Sequence, residues 1–315
     1  MPALAAPYTV SCDTPVLVFV NRAAGRRRTP SYLPPLQSLF ESLGVSVQFI
    51  ETRDAAELES AARSAAGQNH SVLLALGGDG TFQALVNGVY GSNVVIGLLP
   101  AGGGNDFAAA LELPSNPVSA AQVILKSKPR FVDLVHVRTA DGQTRLYAGG
   151  GGIGLDAEAA RFASGPYRHL PGRLRYIASA LHALSSHLPL KIRLEFPSED
   201  FQPVESVSLL VGVLNTPTYG AGLRLAPVAR IDDGLLHVVL VEDLSALGVL
   251  KLLPGLMGSG DLRTSKVKRW GVRSVRISAD RPCLFHGDGE ILGPAPVEVV
   301  VVPNAIRVLA PSMEP

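Results

Sequence analysis

An apolar run without alternation, Ser71 to Leu76, breaks off into Gly77-Gly78-Asp79-Gly80-Thr81, after which a helical pattern runs from about Thr81 to Val89. A strand with no polar side is buried on both faces, as in a parallel sheet with helices above and below. The glycines then fall at the strand's C-terminal end, where open α/β sheets bind ligands. With no Cβ in the way, a phosphate chain can approach the N–H groups of Gly77, Gly78 and Gly80. Asp79 beside phosphates calls for a metal between them. A tight turn with Asp79 as helix N-cap satisfies the same residues.

The flanking segments extend the sheet. Pro15 to Val20 reads as another buried strand, ending at Asn21-Arg22-Ala23-Ala24-Gly25, which is not the G-x-G-x-x-G dinucleotide fingerprint. Leu36, Leu39, Phe40 and Leu43 mark one helix face, closed by Gly44. Val45, Val47 and Phe49 alternate as a strand that runs out at Glu51-Thr52, and an alanine-rich helix over Asp54 to Ala66 follows. Val94 to Leu99 is the next strand. It leads to a second glycine cluster, Pro100-Ala101-Gly102-Gly103-Gly104-Asn105-Asp106-Phe107-Ala108. Strand and helix in alternation predict a parallel sheet with right-handed crossovers, and the two glycine loops side by side along one edge. Asn105 and Asp106 either cap the helix that carries Phe107 to Leu111 or reach toward a ligand.

Near Lys126 to Arg130 the pattern changes to short alternating strands: FVDLVHVRT, TRLYAGG, KIRLEF, VSLLVGVL, LLHVVLVED, VRISA and VEVVVV. This predicts an antiparallel β domain. One amphipathic helix interrupts it, with Leu174, Ile177, Leu181, Leu184 and Leu188 on one face. Ahead of it, Arg161 to Arg175 carries four arginines, His169 and no acid, a solvated loop or a contact for anionic headgroups. Glycines and acids recur at Gly149 to Gly152 with Asp156, Asn215 with Gly220-Ala221-Gly222, Asp232-Asp233-Gly234, and Gly287-Asp288-Gly289-Glu290. Hairpin turns explain each singly. Asp288 and Glu290, two apart in an extended segment, would point to one side and offer paired carboxylates.

The 315 residues suggest two domains, and 47% hydrophobic content with 17% charge supplies packed cores. A net charge of +1 argues against a nucleic-acid footprint. No run of about 18 uncharged apolar residues is present, and the first residues lack a signal-peptide pattern. Cys12 and Cys283 alone, with scattered histidines, fit a cytosolic, disulfide-free chain without a zinc centre.

GGDGT after one buried strand, P-x-G-x-x-N-D-F-A after the next and a late D-G-E together resemble the diacylglycerol kinase catalytic family, which includes bacterial lipid kinases and the sphingosine and ceramide kinases. The resemblance continues through Gly152 to Asp156, Gly172 to Tyr176, Asn215 to Gly222 and Pro227 to Gly234. It implies an N-terminal three-layer α/β domain, residues 1–130 with 303–315 returning to it, and a C-terminal antiparallel β-sandwich over 131–302. ATP would be the donor and a lipid alcohol such as diacylglycerol the acceptor, entering between the domains. By motif position, nucleotide contacts fall on Asn21, Arg22, Ala23, Ala24, Gly25, Thr52, Gly78 to Ala84 (Gly78, Asp79, Gly80, Thr81, Phe82, Gln83, Ala84) and Gly103. Asp79 would hold catalytic Mg²⁺ directly or through water, and Glu290, with Asp288 beside it, would accept the proton. The Asp233 carboxylate with the carbonyls of Arg230 and Leu235 resembles a structural Mg²⁺ site. Such a protein serves phospholipid biosynthesis, is cytoplasmic with peripheral membrane contact, and permits a homodimer. A soluble kinase similar to NAD kinase and a non-catalytic lipid- or nucleotide-binding module are the other readings. Against the family's usual pattern, Ala24, Gln83, Ala84 and Gly103 replace Ser, Asn, Glu and Thr, each loss worth about 0.5 to 1.5 kcal/mol.

Overall fold

The computed structural model describes residues 14–311, apart from residues 22–28, 69, 168, 171, 187, 221 and 263. They fall into two compact units: residues up to Val132 with those from Asn304 onward, and Asp133–Pro303.

The first unit alternates β1 (Val16–Asn21), α1 (Leu33–Ser42), β2 (Val47–Thr52), α2 (Ala55–Gly67), β3 (Val72–Gly77), α3 (Asp79–Val89) and β4 (Val95–Pro100), then adds α4 (Asp106–Ala110) and α5 (Pro117–Ile124). The strands are parallel in the order β4-β3-β1-β2. Because the chain reverses its direction across the sheet after β2, right-handed crossovers place α1 on one face and α2 and α3 on the other. The contacts agree: α2 packs on α3, and α1 on α5. Burial of β3 and β4 along their whole length follows from that double cover. In register, Asn21 lies opposite Thr52 and Gly77 opposite Pro100, so the strands end together along one edge.

Local chemistry sets the helix starts. Asp54 accepts from the Glu57 N–H at 2.8 Å and Glu57 accepts from the Arg53 N–H at 2.7 Å, a reciprocal cap for α2. Asn116 accepts from the N–H groups of Val118 and Ser119 ahead of α5, with Pro117 at its first position.

Strand β5 (Pro129–Arg138) leads into the second unit, which continues with β6 (Thr144–Tyr147), β7 (Gly150–Gly154), α6 (Leu155–Ser164), α7 (Gly172–Ser186), β8 (Leu190–Glu195), β9 (Val204–Leu214), β10 (Leu236–Glu242), α8 (Ala246–Met257), β11 (Val267–Val272), β12 (Ser274–Ala279), β13 (Leu284–Gly287) and β14 (Glu290–Pro294). Strand β15 (Val297–Leu309) begins here, antiparallel to β12, and ends in the first unit, where Arg307 and Val308 pair in parallel with Val95 and Ile96.

Pairing within the second unit is antiparallel: β13 joins β7 and β14, β9 joins β7, β8 and β10, and β8 joins β12. Alternation divides its two cores. Leu236, Val238 and Leu240 of β10 enter an inner core with Tyr147, Val211 and Phe285, whereas Val239 and Val241 face an outer core with Leu209 and Leu225. Among the described residues, three helices belong to this unit rather than the one expected. Strand β7 also lacks a hydrophobic signature, because its glycines are there for closeness: a Cβ on Gly152 would lie 2.4 Å from the Val211 carbonyl and 2.2 Å from Asp156 Oδ2.

Candidate active site

At the edge where β1 to β4 end, two glycine loops touch. A Cβ on Gly102 would stand 2.5 Å from Gly78 Cα, so the backbones meet with no side chain between them. Asp79 ties the loops together. Its carboxylate accepts from the N–H groups of Asn105 (2.8 Å), Phe107 (3.2 Å) and Asp106 (3.4 Å), capping α4 from the neighbouring loop. Asp79 is therefore not the cap of its own helix, and neither Asn105 nor Asp106 caps α4 with its side chain. Asn105, left-handed at φ 59°, instead closes its own loop, accepting from the Gly102 N–H at 3.0 Å and donating to the Gly102 carbonyl.

Gly78 is the N-cap of α3 and has no side chain to offer, so the first-turn N–H groups of Asp79, Gly80 and Thr81 lack a side-chain cap. A helix N-terminus of this kind suits a phosphate. Asn21 reaches the same turn, donating to Thr81 Oγ1 at 3.2 Å, and Gly103 is exposed at the tip of the second loop. Thr52, buried, ends β2 beside Asn21.

The three residues that follow are corrected. Phe82 is fully buried and stacks on Phe107 at 4.8 Å between ring centroids, and Gln83 and Ala84 are buried too, so α3 offers a ligand its first turn rather than these side chains. Arg22, Ala23, Ala24 and Gly25 lie outside the described residues.

Burial, with Asp106 close by, pushes the Asp79 carboxyl up to about 6 against the pull of its three N–H partners. A cation held there would offset the repulsion between Asp79 and Asp106, although no group of three or more His, Cys, Asp or Glu side chains gathers as a metal site among the described residues.

In the second unit the expected pair of acids separates. Asp288 (φ 50°) and Gly289 (φ 86°) form the two-residue turn between β13 and β14, a conformation that Asp-Gly favours. They do not lie in an extended segment, so Asp288 and Glu290 are not paired carboxylates. Asp288 accepts from the N–H groups of Ala148 (2.9 Å), Gly149 (2.9 Å) and Gly150 (3.1 Å), which makes it a clamp on the β6–β7 connection. Glu290 opens β14 at the surface, and surrounding protein raises its carboxyl above the usual range by desolvation.

Behind the hairpin, on the face opposite Phe285, is a cluster that sequence reasoning missed. Tyr219 Oη lies 2.5 Å from His286 Nε2 and donates to Asp156 Oδ2 at 3.1 Å, while His286 Nε2 stands 3.4 Å from the same oxygen. The signal was alternation: His286 sits two residues before Asp288, on the face of β13 that α6 covers.

The Asp233 turn is the other place where the resemblance implies a metal. Asp233 accepts from the N–H groups of Arg230 (3.2 Å) and Leu235 (2.9 Å), and His237 Nε2 lies 2.9 Å from its Oδ2. Arg230, Asp233 and Leu235 thus share one tight turn, and the Asp233 carboxylate with the two carbonyls is the oxygen-only set that a hard cation would take. Buried Asp133 completes the turn by accepting from the Gly234 N–H at 2.7 Å.

Residues 15–137 match the family model described as the diacylglycerol kinase catalytic domain, and residues 151–310 that of the YegS C-terminal NAD kinase beta sandwich-like domain. A diacylglycerol kinase of Mycobacterium tuberculosis is 28% identical over 269 residues, 85% of this chain and 86% of its own. A Chromohalobacter salexigens protein described as "Probable lipid kinase YegS-like" is 30% identical, with 79% of each chain covered. A crystal structure described as a diacylglycerol kinase from Bacillus anthracis str. Sterne superposes with a TM-score of 0.69 at 19% identity, covering 94% of this chain and 96% of its own; it attests the fold. With both family models matched in order along one chain, and relatives of that family aligned over most of its length, the protein belongs to the diacylglycerol and lipid kinase family of phosphotransferases.

Proposed function

We propose that this chain transfers the terminal phosphoryl group of ATP to the hydroxyl of diacylglycerol or a related lipid alcohol. The observation that carries the reading is the Asp79 carboxylate holding the two glycine loops together. It fixes a phosphate-sized edge of N–H groups beside a carboxylate pair suited to Mg²⁺, which when bound would neutralise charge on the phosphates. Phosphoryl transfer asks chiefly for such positioning, because its transition state is loose. The lipid oxygen forms its bond to the terminal phosphorus as the bond to the bridging oxygen breaks and ADP leaves.

Glu290 takes the proton of the attacking hydroxyl. Its raised carboxyl is a better base than an ordinary glutamate, and the proton moves late, as the new P–O bond forms. Asp288 serves this step by fixing the turn from which Glu290 projects. The acceptor's acyl chains keep the reaction at a membrane surface, where the chain docks peripherally. Incubation with ATP, Mg²⁺ and mixed micelles of candidate lipids tests the reading; a phosphorylated lipid supports it, and phosphorylation of NAD with no lipid product replaces it.

A further inference from the structure

Surface helices of water-soluble proteins turn a polar face outward. Helix α8, ALGVLKLLPGLM, is apolar all round, yet none of its residues is buried. Its inner side, through Val249 and Leu256, rests on the outer core of the second unit. Its outer side presents Leu247 (63% exposed), Leu250 (42%) and Met257 (48%), spaced along one face, with Lys251 as the only charge in the helix. Helix α7 packs beside α8 and extends the surface with Leu174 (60% exposed) and Leu181 (40%), one stripe seven residues apart. Exposed leucines aligned on two touching helices mark a covered surface, not scattered surface residues.

Charge identifies what covers it. From Ala159 to Leu194 the sequence contains no acid; Arg161 is exposed on α6, which packs against α7, and Lys251 is exposed on α8. Arg224, exposed, joins its N–H to the Leu256 carbonyl beside the last turn of α8. The acids nearest in sequence, Asp243 and Asp261, lie beyond the two ends of α8. A second copy seated on this face about a twofold axis would set these cations against themselves. A negatively charged bilayer complements both the cations and the leucines. At 12 residues α8 is too short to cross a membrane, and a helix of this length lies in the interfacial plane.

We infer that the outer faces of α7 and α8 are the membrane-docking surface, α8 embedding Leu247, Leu250 and Met257 among the acyl chains while the basic residues meet anionic headgroups. The inference deepens the lipid-kinase reading and rests on it for its purpose, since a docked face would deliver the enzyme to an acceptor that does not leave the bilayer. The test is flotation of the full chain with vesicles of phosphatidylcholine alone or mixed with phosphatidylglycerol, for the wild type and a Leu247→Glu, Leu250→Glu double variant whose thermal melt is recorded alongside. The expected result is wild-type binding to the anionic vesicles only, weakened at least about tenfold in the variant, because two apolar anchors are lost and like charge is added. Leu250→Trp should also give a blue-shifted emission with anionic vesicles, beyond any change at Trp270.

Equal binding by wild type and double variant overturns the inference, as does no wild-type binding to either vesicle. A wild-type dimer that the double variant dissociates, with vesicle binding unchanged, assigns the face to a second copy instead. The kinase reading fails separately: if vesicles capture the chain through α8 and no lipid is ever phosphorylated, docking stands without that activity. If a short-chain diacylglycerol in solution is phosphorylated while vesicles are never bound, the activity stands without docking.

Discussion

Two carboxylates two residues apart carry different tasks, and their hydrogen bonds say which. Asp288 spends its oxygens on the N–H groups of Ala148, Gly149 and Gly150, so it is a structural acid. Asp288→Ala strands those donors and loses a side chain suited to the left-handed region; the fold should weaken by roughly 2–4 kcal/mol in urea titration. Glu290 carries no such load. Glu290→Gln should leave the melt unchanged and lower kcat by about 10²–10⁴-fold, the range for a lost general base. Because desolvation by the surrounding protein raises its carboxyl, the acid limb of the activity profile should lie above the ordinary glutamate range, rising with pH as Glu290 ionises. The sequence placed Asp288 and Glu290 side by side but misjudged their geometry. Strand periodicity was applied across an Asp-Gly pair, and there the backbone turns. Tyr219, His286 and Asp156 went unread together because 67 residues separate Tyr219 from His286, and only the pairing of β13 with β7 brings His286 to the β7 end that precedes Asp156.

Among elements, the decisive contact is the reach of Asp79 from the start of α3 to the start of α4. Since burial and Asp106 favour its protonated form, the Asp79 contribution to stability is whole below the ordinary Asp value of 3.8 and is lost as pH rises through about 6. Wild type should therefore lose roughly 1–3 kcal/mol relative to Asp79→Asn across that window, read as the difference between their urea-unfolding curves. Gly102→Ala, whose new Cβ has no room beside Gly78, should force the loops apart, destabilise by about 1–3 kcal/mol and raise the KM for ATP more than it lowers kcat. At the Asp233 turn, His237 Nε2 lies 2.9 Å from the Asp233 carboxylate. His237→Ala, which removes the partner of the Asp233 carboxylate, should lower the melting temperature. The strands and glycine loops of the first half were legible because buried parallel strands and their turns each have a local signature. Helix α8 was not, since an all-apolar segment has no helical periodicity, and neither was β7, whose glycines are fixed by what approaches them.

Over the whole molecule, the change of pattern near Lys126 to Arg130 marks the passage from parallel to antiparallel pairing, and β15 carries the chain back to pair with β4. That return rests on a valine-rich strand whose partner lies about two hundred residues upstream, a pairing that local pattern does not encode and family resemblance supplied. One claim is central: the glycine loops hold the donor, and Glu290 receives the acceptor's proton. It is tested most directly by following label from γ-labelled ATP into diacylglycerol in mixed micelles, with wild type and Glu290→Gln side by side. The account predicts labelled phosphatidic acid from wild type and at least a hundredfold less, about the lower bound for a lost base, from an equally stable variant. Equal labelling by the two, or no labelled lipid from wild type across the panel, would contradict it.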